Sequence, residues 1–416
     1  MAATYSSGGT MKRGSNLPAV GTYNQTLVLD LIRRAPRGLS RVELADRTGL
    51  SAQTLSNVAR RLTEGGLIIE GAKVRSGPGK PRTMLALNPR ARYAVGVHLD
   101  PAIDTFVVVD LAGTVVAHAE HPPRSSGSTT ELIEGVADAI ADLVARAEVP
   151  RESLLGIGVA APGPLDGETG TLLNPPLLPA WHGVALRDEL AAATGLPVEL
   201  EKDVTAAMVG EMWVDTDDDL RDAMFLYYGA GVGLGLAVDG AVVRGRTGNA
   251  GNIAHLQVDP QGIRCECGHR GCLGQSIEPG HLLRSAGMRA STDDELRLPD
   301  ARLELDALLR RDDEGDAAAS ATLTHTAGLI AHAIVALNNL LDVDVAVIGG
   351  PVWTRLSRGL LERVRLAVAT DASATTTRTT QIFETRLGTD VAALGAACLV
   401  LDGAFTARPA DMMITP

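Results

Sequence analysis

The hydrophobic pattern of the chain repeats after residue 220, and this repeat restricts the fold more than any other feature. From Tyr93, three strand-like runs (YAVGVHL, TFVVVDL and TVVAHAE) precede an apolar helix and the strand LLGIGVAA. A second round begins with AMFLYY, GLGLAVDG and AVVRG. It continues through a helix near 321–341, the strand VDVAVIGG, another helix, the strand QIFETR and a terminal helix. Two such rounds predict a duplicated α/β fold with a cleft between its halves.

Three helices are predicted before Tyr93. The first covers residues 24–35, where apolar residues recur at helical spacing, and it ends before Pro36. Ser40 is predicted to cap the second, RVELADRT, and Ser51 the third, AQTLSNVARRLTEGG, after a turn at Gly49. The residues expected on the inner faces of these two helices are Val42, Leu44, Ala45, Leu55, Val58 and Leu62.

The third helix presents amide and arginine side chains on its outer face, which is typical of a helix-turn-helix. The next segment, LIIEGAKVRSGPGKPRTMLAL, predicts a β-hairpin wing with a basic tip. Gln53 and Asn57 can bond adenine with two hydrogen bonds, and arginines can neutralise phosphates or contact guanine. The candidate DNA contacts are Arg41, Ser51, Gln53, Thr54, Ser56, Asn57, Arg60, Arg61, Arg75, Lys80 and Arg82. The alternative is a three-helix packing module with solvated charges.

Charge is distributed unevenly along the chain. Residues 1–90 contain 14 Lys and Arg against five acidic residues, a balance of +9, whereas the whole chain carries −12. The remainder therefore carries −21. A basic front part on an acidic body indicates a nucleic-acid-binding module joined to a part that does not bind nucleic acid. The overall negative charge argues against a protein that coats nucleic acid along its whole length.

Three of the four cysteines lie within eight residues, and a histidine precedes them in the pattern H-x9-C-x-C-x4-C. The members of this pattern are His255, Cys265, Cys267 and Cys272. Three thiolates and one imidazole suit a closed, structural Zn²⁺ site. The alternative is a group of buried or redox-active thiols. Cys398, within the apolar run AALGAACLVL, is expected to be a core residue.

Composition and the length of the apolar runs indicate the class of protein and its location in the cell. Hydrophobic residues make up 45% of the chain and aromatic residues only 3%, so aliphatic side chains must build the core. This excludes a largely disordered chain. No run approaches the ~18 uninterrupted apolar residues of a membrane span. Residues 1–23 lack the apolar segment of a signal peptide and are expected to form a loose leader. We therefore expect a soluble cytoplasmic protein without a membrane partner.

Six motifs follow one another in a characteristic order: GVAAPGPLDGETG, EKDVTAAMVGE, GAGVGLG, GNAGNIAH, CECGHRGCLG and VIGG. Together with the winged helix, this order resembles the ROK family (repressors, open reading frames and sugar kinases) over about residues 24–402. The resemblance implies a two-lobed, actin-like ATPase fold for the body, a homodimer or homotetramer, and a zinc-bearing loop. The predicted division is a leader at 1–23, a winged helix-turn-helix at 24–90, and lobes at 91–220 and 221–416.

The loops that would hold ATP phosphates depart from the family pattern. The first loop of the family, Gly-x-Asp-x-Gly-Gly-Thr-Lys, corresponds to GVHLDPAI at 96–103, where Pro101 removes an amide donor and Asp100 adds negative charge. The second, usually Gly-Thr-Gly, is GAG at 229–231. Asp203 matches the catalytic base of the family, but one carboxylate does not restore phosphate binding. The resemblance therefore implies a degenerate kinase body that binds no ATP.

The residues that hold a sugar in the family are partly replaced. Carried over in place, they correspond to Lys202, Asp203, Asn252, His255 and Gly274. The replacements Asn→Lys, Glu→Asn and Glu→Gly each raise the local charge by one unit. They favour an anionic effector, such as a sugar phosphate or sugar acid, with Lys202 as its counter-charge and Asp203, Asn252 and His255 as further contacts. The alternative is a ligand-free pocket in which Lys202 pairs with Asp203.

These features predict a zinc-containing, ROK-type transcriptional regulator of sugar or related carbon metabolism. It is expected to bind double-stranded operator DNA as a symmetric oligomer and to repress transcription. An effector in the cleft would bring the lobes together and change DNA binding. Two other functions remain open: a sugar kinase with an appended DNA-binding module, and a regulator gated by a protein partner.

Overall fold

The computed structural model describes residues 17–74, 81–289, 298–376 and 378–406. The predicted DNA contacts Arg75 and Lys80 lie outside these residues, as does the leader before residue 17. The chain divides into two units. The first, called the winged-helix unit below, ends at Ala91 and includes the chain from Gly403 onward. The second, Arg92–Asp402, is called the body.

The winged-helix unit consists of three helices and a three-stranded antiparallel sheet, which confirms the predicted winged helix-turn-helix. The helices are α1 (Leu17–Arg33), α2 (Arg41–Thr48) and α3 (Ala52–Glu64), and the strands are β1 (Leu39–Ser40), β2 (Ile68–Val74) and β3 (Arg82–Leu87). The strand order is β1-β3-β2, and β2 and β3 form the hairpin of the wing. The core includes Val28, Ile32, Leu44, Leu55, Val58, Leu62 and Leu85.

Local hydrogen bonds place the helix ends at the predicted positions. The Ser40 side chain accepts a hydrogen bond from the backbone N of Glu43, and the Glu43 carboxylate accepts one from the backbone N of Ser40 at 2.8 Å. This reciprocal capping box starts α2. Gly49 ends α2 with a φ of 69°, a left-handed conformation that glycine adopts without strain. The Ser51 side chain then caps α3 by accepting from the backbone N of Thr54.

Two predictions for this unit are wrong. Helix α1 begins at Leu17 rather than at residue 24, so residues 17–23 are helical and not part of a loose leader. Pro18 is compatible with this start, because the first turn of a helix needs no N–H donor. Val42, predicted to face inward, is 47% exposed. Leu44 is the buried residue of α2, and a residue two positions away points to nearly the opposite side of a helix.

The body contains two five-stranded sheets and a small ladder. Its strands are β4 (Tyr93–His98), β5 (Asp104–Asp110), β6 (Val115–His121), β7 (Leu154–Ala161), β8 (Leu165–Asp166), β9 (Thr171–Leu172), β10 (Val198–Lys202), β11 (Ala223–Tyr228), β12 (Val232–Val238), β13 (Ala241–Val242), β14 (Val345–Gly349) and β15 (Gln381–Glu384). The helices are α4 (Thr129–Arg146), α5 (Leu186–Thr194), α6 (Asp203–Val214), α7 (Leu273–Ser276), α8 (Pro279–Ser285), α9 (Leu298–Asp313), α10 (Ala317–Leu341), α11 (Pro351–Thr370) and α12 (Val391–Phe405). The last residues of α12, from Gly403, belong to the winged-helix unit.

Both large sheets have the same topology. Starting from the parallel edge, the strand orders are β10-β7-β4-β5-β6 and β15-β14-β11-β12-β13. In each sheet the first three strands pair in parallel and the last three pair antiparallel. Each lobe has its own hydrophobic core. The duplicated α/β fold predicted from the repeated hydrophobic pattern is therefore confirmed.

Helix α12 approaches neighbouring backbone closely at glycines in the centre of the body. A Cβ built on Gly395 would lie 2.0 Å from the carbonyl oxygen of Ala206 in α6, and one on Gly210 would lie 2.8 Å from Cα of Gly395. A Cβ on Gly96 of β4 would lie 2.0 Å from the carbonyl oxygen of Ala393. Glycine is therefore required for these close approaches. Cys398 on the same helix is buried, as predicted.

Two helical segments, Ala317–Leu341 and Gly388–Phe405, are long and apolar enough to cross a membrane by length and composition. Within the fold, 56% and 61% of their most apolar windows are buried. Their apolar character is therefore explained by the interior of the body, as expected for core helices.

Candidate functional site

The outward face of α3 carries most of the predicted DNA contacts. The exposed ones are Ser51, Gln53, Ser56, Asn57, Arg60 and Arg61. Thr54 is half-buried, and its hydroxyl lies 2.9 Å from that of Ser51. The hydroxyl of Ser56 donates to the carbonyl oxygen of Ala52 at 2.8 Å. The three hydroxyls thus already bond within the first turns of α3, whereas the amides and guanidinium groups project from the helix.

Acidic neighbours that sequence reasoning missed accompany two of the arginines. Arg60 lies 3.1 Å from Glu64 on α3, and Arg41 lies 3.0 Å from Glu70 on β2. Arg82, at the start of β3, is exposed. Exposed ion pairs contribute about 0–1 kcal/mol, so a phosphate can compete for these arginines. The i, i+4 spacing of Arg60 and Glu64 could have revealed the first pair, whereas the second depends on the tertiary fold.

The predicted metal ligands His255, Cys265, Cys267 and Cys272 come together, with all four ligand atoms within 4.8 Å of one another. Nδ1 of His255 lies 3.5 Å from Sγ of Cys265, and Sγ of Cys267 lies 3.5 Å from Sγ of Cys272. Tetrahedral bonds of about 2.3 Å to sulfur would separate ligand atoms by slightly more than this. The donor set therefore fits a tetrahedral metal ion.

The loop that carries these ligands folds back on itself. Backbone bridges join Gln257 to Cys272 and Arg264 to Arg270. A Cβ on Gly271 would lie only 1.6 Å from the carbonyl oxygen of Asp259, so this tight turn requires glycine. Because Nδ1 of His255 faces Cys265, the Nε2 atom of its ring points away from the thiols.

Lys202 and Asn252, predicted as effector contacts, bind each other. Lys202 is the last residue of β10, and its Nζ donates to Oδ1 of Asn252 at 2.5 Å and to the carbonyl oxygen of Ala250 at 3.1 Å. Burial lowers the pKa of Lys202, and the charge of neighbouring Asp203 opposes that shift. The amide oxygen of Asn252 is thus occupied, while its NH₂ group remains the donor end of the side chain.

Asp203 starts α6 beside Lys202. Burial raises the pKa of its carboxyl group, and the positive charges of His98 and Lys202 act in the opposite direction. Asp100 reinforces the rise. The structure therefore groups Asp203 with His98 and Asp100, two residues that sequence reasoning did not connect with an effector site. No local pattern signals this grouping, because it arises from strand order.

Each of the two segments aligned with phosphate loops has a side chain beside it that disfavours bound phosphates. Between β4 and β5, Asp100 is buried and its Oδ1 accepts from the backbone N of Ala102 at 2.8 Å. After β11, the ring of Tyr227 lies against Gly229, where a Cβ would be 2.6 Å from Tyr227 Cε1. A carboxylate in the first segment and an aromatic ring against the second are unfavourable surroundings for a triphosphate.

Comparison with family models places these features in context. The ROK family model matches residues 102–403. The chain belongs to the ROK family. The MarR family model matches residues 22–76 of this ROK protein, the region of the winged helix. The ROK match includes the cluster of His255 and three cysteines and the second altered phosphate segment, at 229–231. The first altered segment, at 96–103, lies at the start of the match.

Relatives of this ROK protein include regulators and kinases. The DNA-binding transcriptional dual regulator NagC of Escherichia coli (strain K12) is 25% identical over 359 residues, covering 86% of this chain and 87% of NagC. A glucokinase of Halalkalibacterium halodurans is 30% identical over 267 residues, covering 63% of this chain and 81% of the glucokinase. A crystal structure of a ROK family transcriptional regulator, a homologue of E. coli MLC protein, superposes with a TM-score of 0.74 at 23% identity, covering 94% and 98% of the two chains. That likeness establishes the common fold.

Proposed function

We propose that this ROK protein is a transcriptional regulator that binds operator DNA and responds to a sugar-derived effector. The observation that carries this proposal is the exposed face of α3, where Gln53, Asn57, Arg60 and Arg61 project from a winged helix. NagC, similar over 86% of this chain, is named a DNA-binding transcriptional regulator. We propose repression as its action, in the cytoplasm, on genes of sugar or related carbon metabolism.

In the proposed complex, α3 enters the major groove and the wing contacts the phosphate backbone or minor groove. Gln53 and Asn57 would contact base edges. The arginines Arg41, Arg60, Arg61 and Arg82 would bind phosphates or guanine, with Arg75 and Lys80 as further contacts of the wing. We further propose that residues 24–90, together with the start of α1 at Leu17, form the DNA-binding domain and that two or four copies bind a symmetric operator.

The DNA contacts are tested on a sequence selected by the full chain from random DNA. Arg60→Ala should weaken binding and reduce the slope of affinity against salt concentration by about one unit if Arg60 contacts a phosphate. Arg358 is a matched control, because it is 56% exposed and 2.8 Å from Asp313, as Arg60 is 59% exposed and 3.1 Å from Glu64. Unchanged affinity in Arg60→Ala, or an equal loss in Arg358→Ala, would contradict this placement. Analytical ultracentrifugation of the protein with the selected DNA gives the number of copies bound.

The body is proposed to have lost kinase activity while keeping Asp203 at the position of the base. Asp100 in the first phosphate segment and Tyr227 against the second support this proposal, since both disfavour bound phosphates. The glucokinase relative makes a kinase with an added DNA-binding module the competing function. Purified protein should therefore show no magnesium-dependent transfer of phosphate from ATP to hexoses. Turnover that Asp203→Asn abolishes would support the kinase instead.

We propose that His255, Cys265, Cys267 and Cys272 hold one structural Zn²⁺. Three thiolates and an imidazole are soft and intermediate donors that Zn²⁺ prefers. His255 would hold the ion through Nδ1, which would fix the orientation of its ring and leave Nε2 available for a hydrogen bond with a ligand. Elemental analysis should find one zinc per chain, lost in Cys272→Ala but kept in Cys398→Ala. Equal zinc content in the two variants would contradict the site.

The effector is proposed to contact Lys202, Asp203, Asn252 and His255. Two of the three Nζ protons of Lys202 are used by Asn252 and Ala250, which leaves one for a ligand. The NH₂ group of Asn252 and Nε2 of His255 supply further hydrogen-bonding groups, and Asp203 supplies an acceptor. This set favours a hydroxyl-rich compound with an anionic group. The alternatives are a pocket that binds nothing and a body that docks a protein partner.

Calorimetric titration with hexoses, hexose phosphates and sugar acids tests the effector. A phosphorylated or acidic sugar should release heat, and Lys202→Met, which keeps the length of the side chain, should weaken its binding about tenfold or more. Lys73→Met, at an exposed lysine of β2 outside the body, serves as the control. If no such compound binds, the anionic effector is wrong, and capture of a protein that alters DNA binding would favour the partner-gated regulator.

A further inference from the structure

The hairpin of the wing contains a β-bulge that changes which of its side chains share a face. Glu70 of β2 pairs with Leu85 of β3, whereas Lys73 pairs with Thr83. Strict alternation along β2 would place Glu70 and Lys73, three positions apart, on opposite faces. Because the bulge between them adds one residue to β2, both side chains lie on the same face instead.

This face of the hairpin is the one that packs against the helices. Leu85, which shares it with Glu70, is fully buried in the core of the winged-helix unit and also pairs with Leu39 of β1. Arg41 directly follows β1, and its guanidinium group lies 3.0 Å from the Glu70 carboxylate. Since β3 lies between β1 and β2, this ion pair crosses the face of β3. The helix side of the wing therefore carries both Arg41 and Lys73.

Two neighbouring side chains on this face are available to a ligand. Lys73 is exposed and Thr83 is half-buried, and neither side chain has a hydrogen bond or ion pair with another residue in the part of the chain that the structure describes. Residues paired directly across two strands have Cβ atoms about 5 Å apart. The ammonium group of Lys73 and the hydroxyl of Thr83 can therefore donate to the same anionic group.

The charges on this face favour a phosphate. Arg41 and Lys73 are positive, and the single carboxylate beside them, that of Glu70, already has Arg41 as its partner. Arg82, the wing residue proposed above as a DNA contact, pairs with Val74, the residue after Lys73. Adjacent residues of a strand point to opposite faces, so a phosphate bound by Lys73 is not the one bound by Arg82.

We propose that Lys73 is a further DNA contact, and that its ammonium group and the hydroxyl of Thr83 bind one backbone phosphate on the helix side of the wing. This inference rests on the proposed DNA binding by the winged-helix unit and assigns a ligand to one face of the wing. A wing in the minor groove would then contact phosphates through both faces, with Lys73 on one and Arg82 on the other.

The test measures binding of the full chain to a DNA sequence that it selects, at several salt concentrations. Lys73→Met keeps the length of the side chain but removes its charge. It should weaken binding about tenfold near 0.1 M salt and reduce the slope of log affinity against log salt by about one unit, with unchanged sequence preference. Thr83→Val should weaken binding by a smaller factor without changing the slope, because the hydroxyl carries no charge. Lys73→Met combined with Arg82→Met should reduce the slope by about one unit more than Arg82→Met alone.

Arg90→Met is the control, because Arg90 is an exposed cation of the same unit that follows the end of β3 away from Arg82. The inference fails if Lys73→Met keeps the affinity and slope of the parent protein, if Arg90→Met loses as much, or if the double variant behaves like Arg82→Met. If the parent protein binds no DNA, the proposed function fails and this contact fails with it. DNA binding that Lys73→Met leaves intact overturns the contact alone.

Discussion

Glu43 in the winged-helix unit and three buried carboxylates in the body respond to folding in opposite directions. Hydrogen bonds from Ser40 lower the pKa of Glu43 in the capping box of α2. In the body, burial raises the pKa of Asp104 to about 6 and also raises the pKa values of Asp203 and Glu211. A carboxylate that accepts capping hydrogen bonds is therefore stabilised in its charged form, whereas a buried carboxylate is held in an unfavourable, desolvated setting. Glu131, which caps α4 in the body, behaves like Glu43, so burial decides the direction of the pKa change.

The exposure of the charged groups indicates what kind of ligand each unit can bind. In the winged-helix unit, Arg60 and Arg61 lie at the surface, where a large polyanion such as DNA can reach them. The body encloses charged groups around Asp100, Lys202 and Asp203, where small molecules can be surrounded. Desolvated carboxylates clustered in a cleft are typical of binding and catalytic sites.

The largest expected difference between the two units is in the effect of a glycine-to-alanine substitution on stability. Gly395→Ala should lower the free energy of unfolding of the body by about 3 kcal/mol or more, because its Cβ would meet the carbonyl oxygen of Ala206 at 2.0 Å. Gly21→Ala in α1 should be neutral or stabilise by up to about 1 kcal/mol, because its Cβ would meet only Arg61 at 3.9 Å. Urea denaturation of both variants measures the difference. Equal losses would remove the contrast between the two units.

The pH dependence of the body is the next test. Between the ordinary pKa of aspartate, 3.8, and about 6, folded Asp104 binds more protons than the unfolded chain does. The contribution of this group to the free energy of unfolding is therefore greatest below that window and falls as pH rises through it, by about 2–3 kcal/mol. Asp104→Asn should remove this fall. Urea denaturation from pH 4 to 7 measures it.

The absolute stability of Asp104→Asn also changes, because Arg124 loses a carboxylate partner at 3.1 Å. The slope against pH is therefore the quantity to compare. Asp188→Asn, at an exposed carboxylate, should keep the slope of the parent protein. A parent slope that Asp104→Asn leaves intact would show that other groups dominate.

The capping box of α2 is expected to make the smallest contribution to the pH dependence of stability, and this contribution has the opposite sign to that of Asp104. Because the folded pKa of Glu43 is lowered, its stabilisation is present above its ordinary pKa of 4.5 and is lost as pH falls through the folded value. Glu43→Gln should destabilise α2 by about 1 kcal/mol at pH 7 and by less near pH 3. Hydrogen exchange of residues 41–48 measures this, with Asp46→Asn on the same helix as the control. A loss independent of pH would contradict the role of the charge.

Local chemistry explains which parts of the fold could be predicted. Ser40, Gly49 and Ser51 determine the ends of their helices through bonds to residues a few positions away, and each was predicted from sequence. The alternation and repetition of apolar runs likewise predict the two sheets. The start of α1 was missed because the segment before residue 24 is rich in small and polar residues without a strong apolar period.

The site was predictable only where the ligands are close in sequence. The four residues of the metal cluster span 18 positions and were grouped from their spacing. The bond between Lys202 and Asn252 joins residues 50 positions apart, and the grouping of His98 with Asp203 depends on the order and register of three strands. Register and long-range packing follow from the whole fold, so local patterns do not contain them.

The contact of α6 with α12 through Gly210 and Gly395 has a mechanical consequence. At these two positions the helices meet backbone to backbone, so no side chain there has to move before one helix turns relative to the other. Such a contact is compatible with a change in the angle between the lobes, which is the motion proposed to follow effector binding. A larger residue at either glycine would contact the backbone of the facing helix, and we expect it to restrict the angle between the lobes whether or not a small molecule is bound.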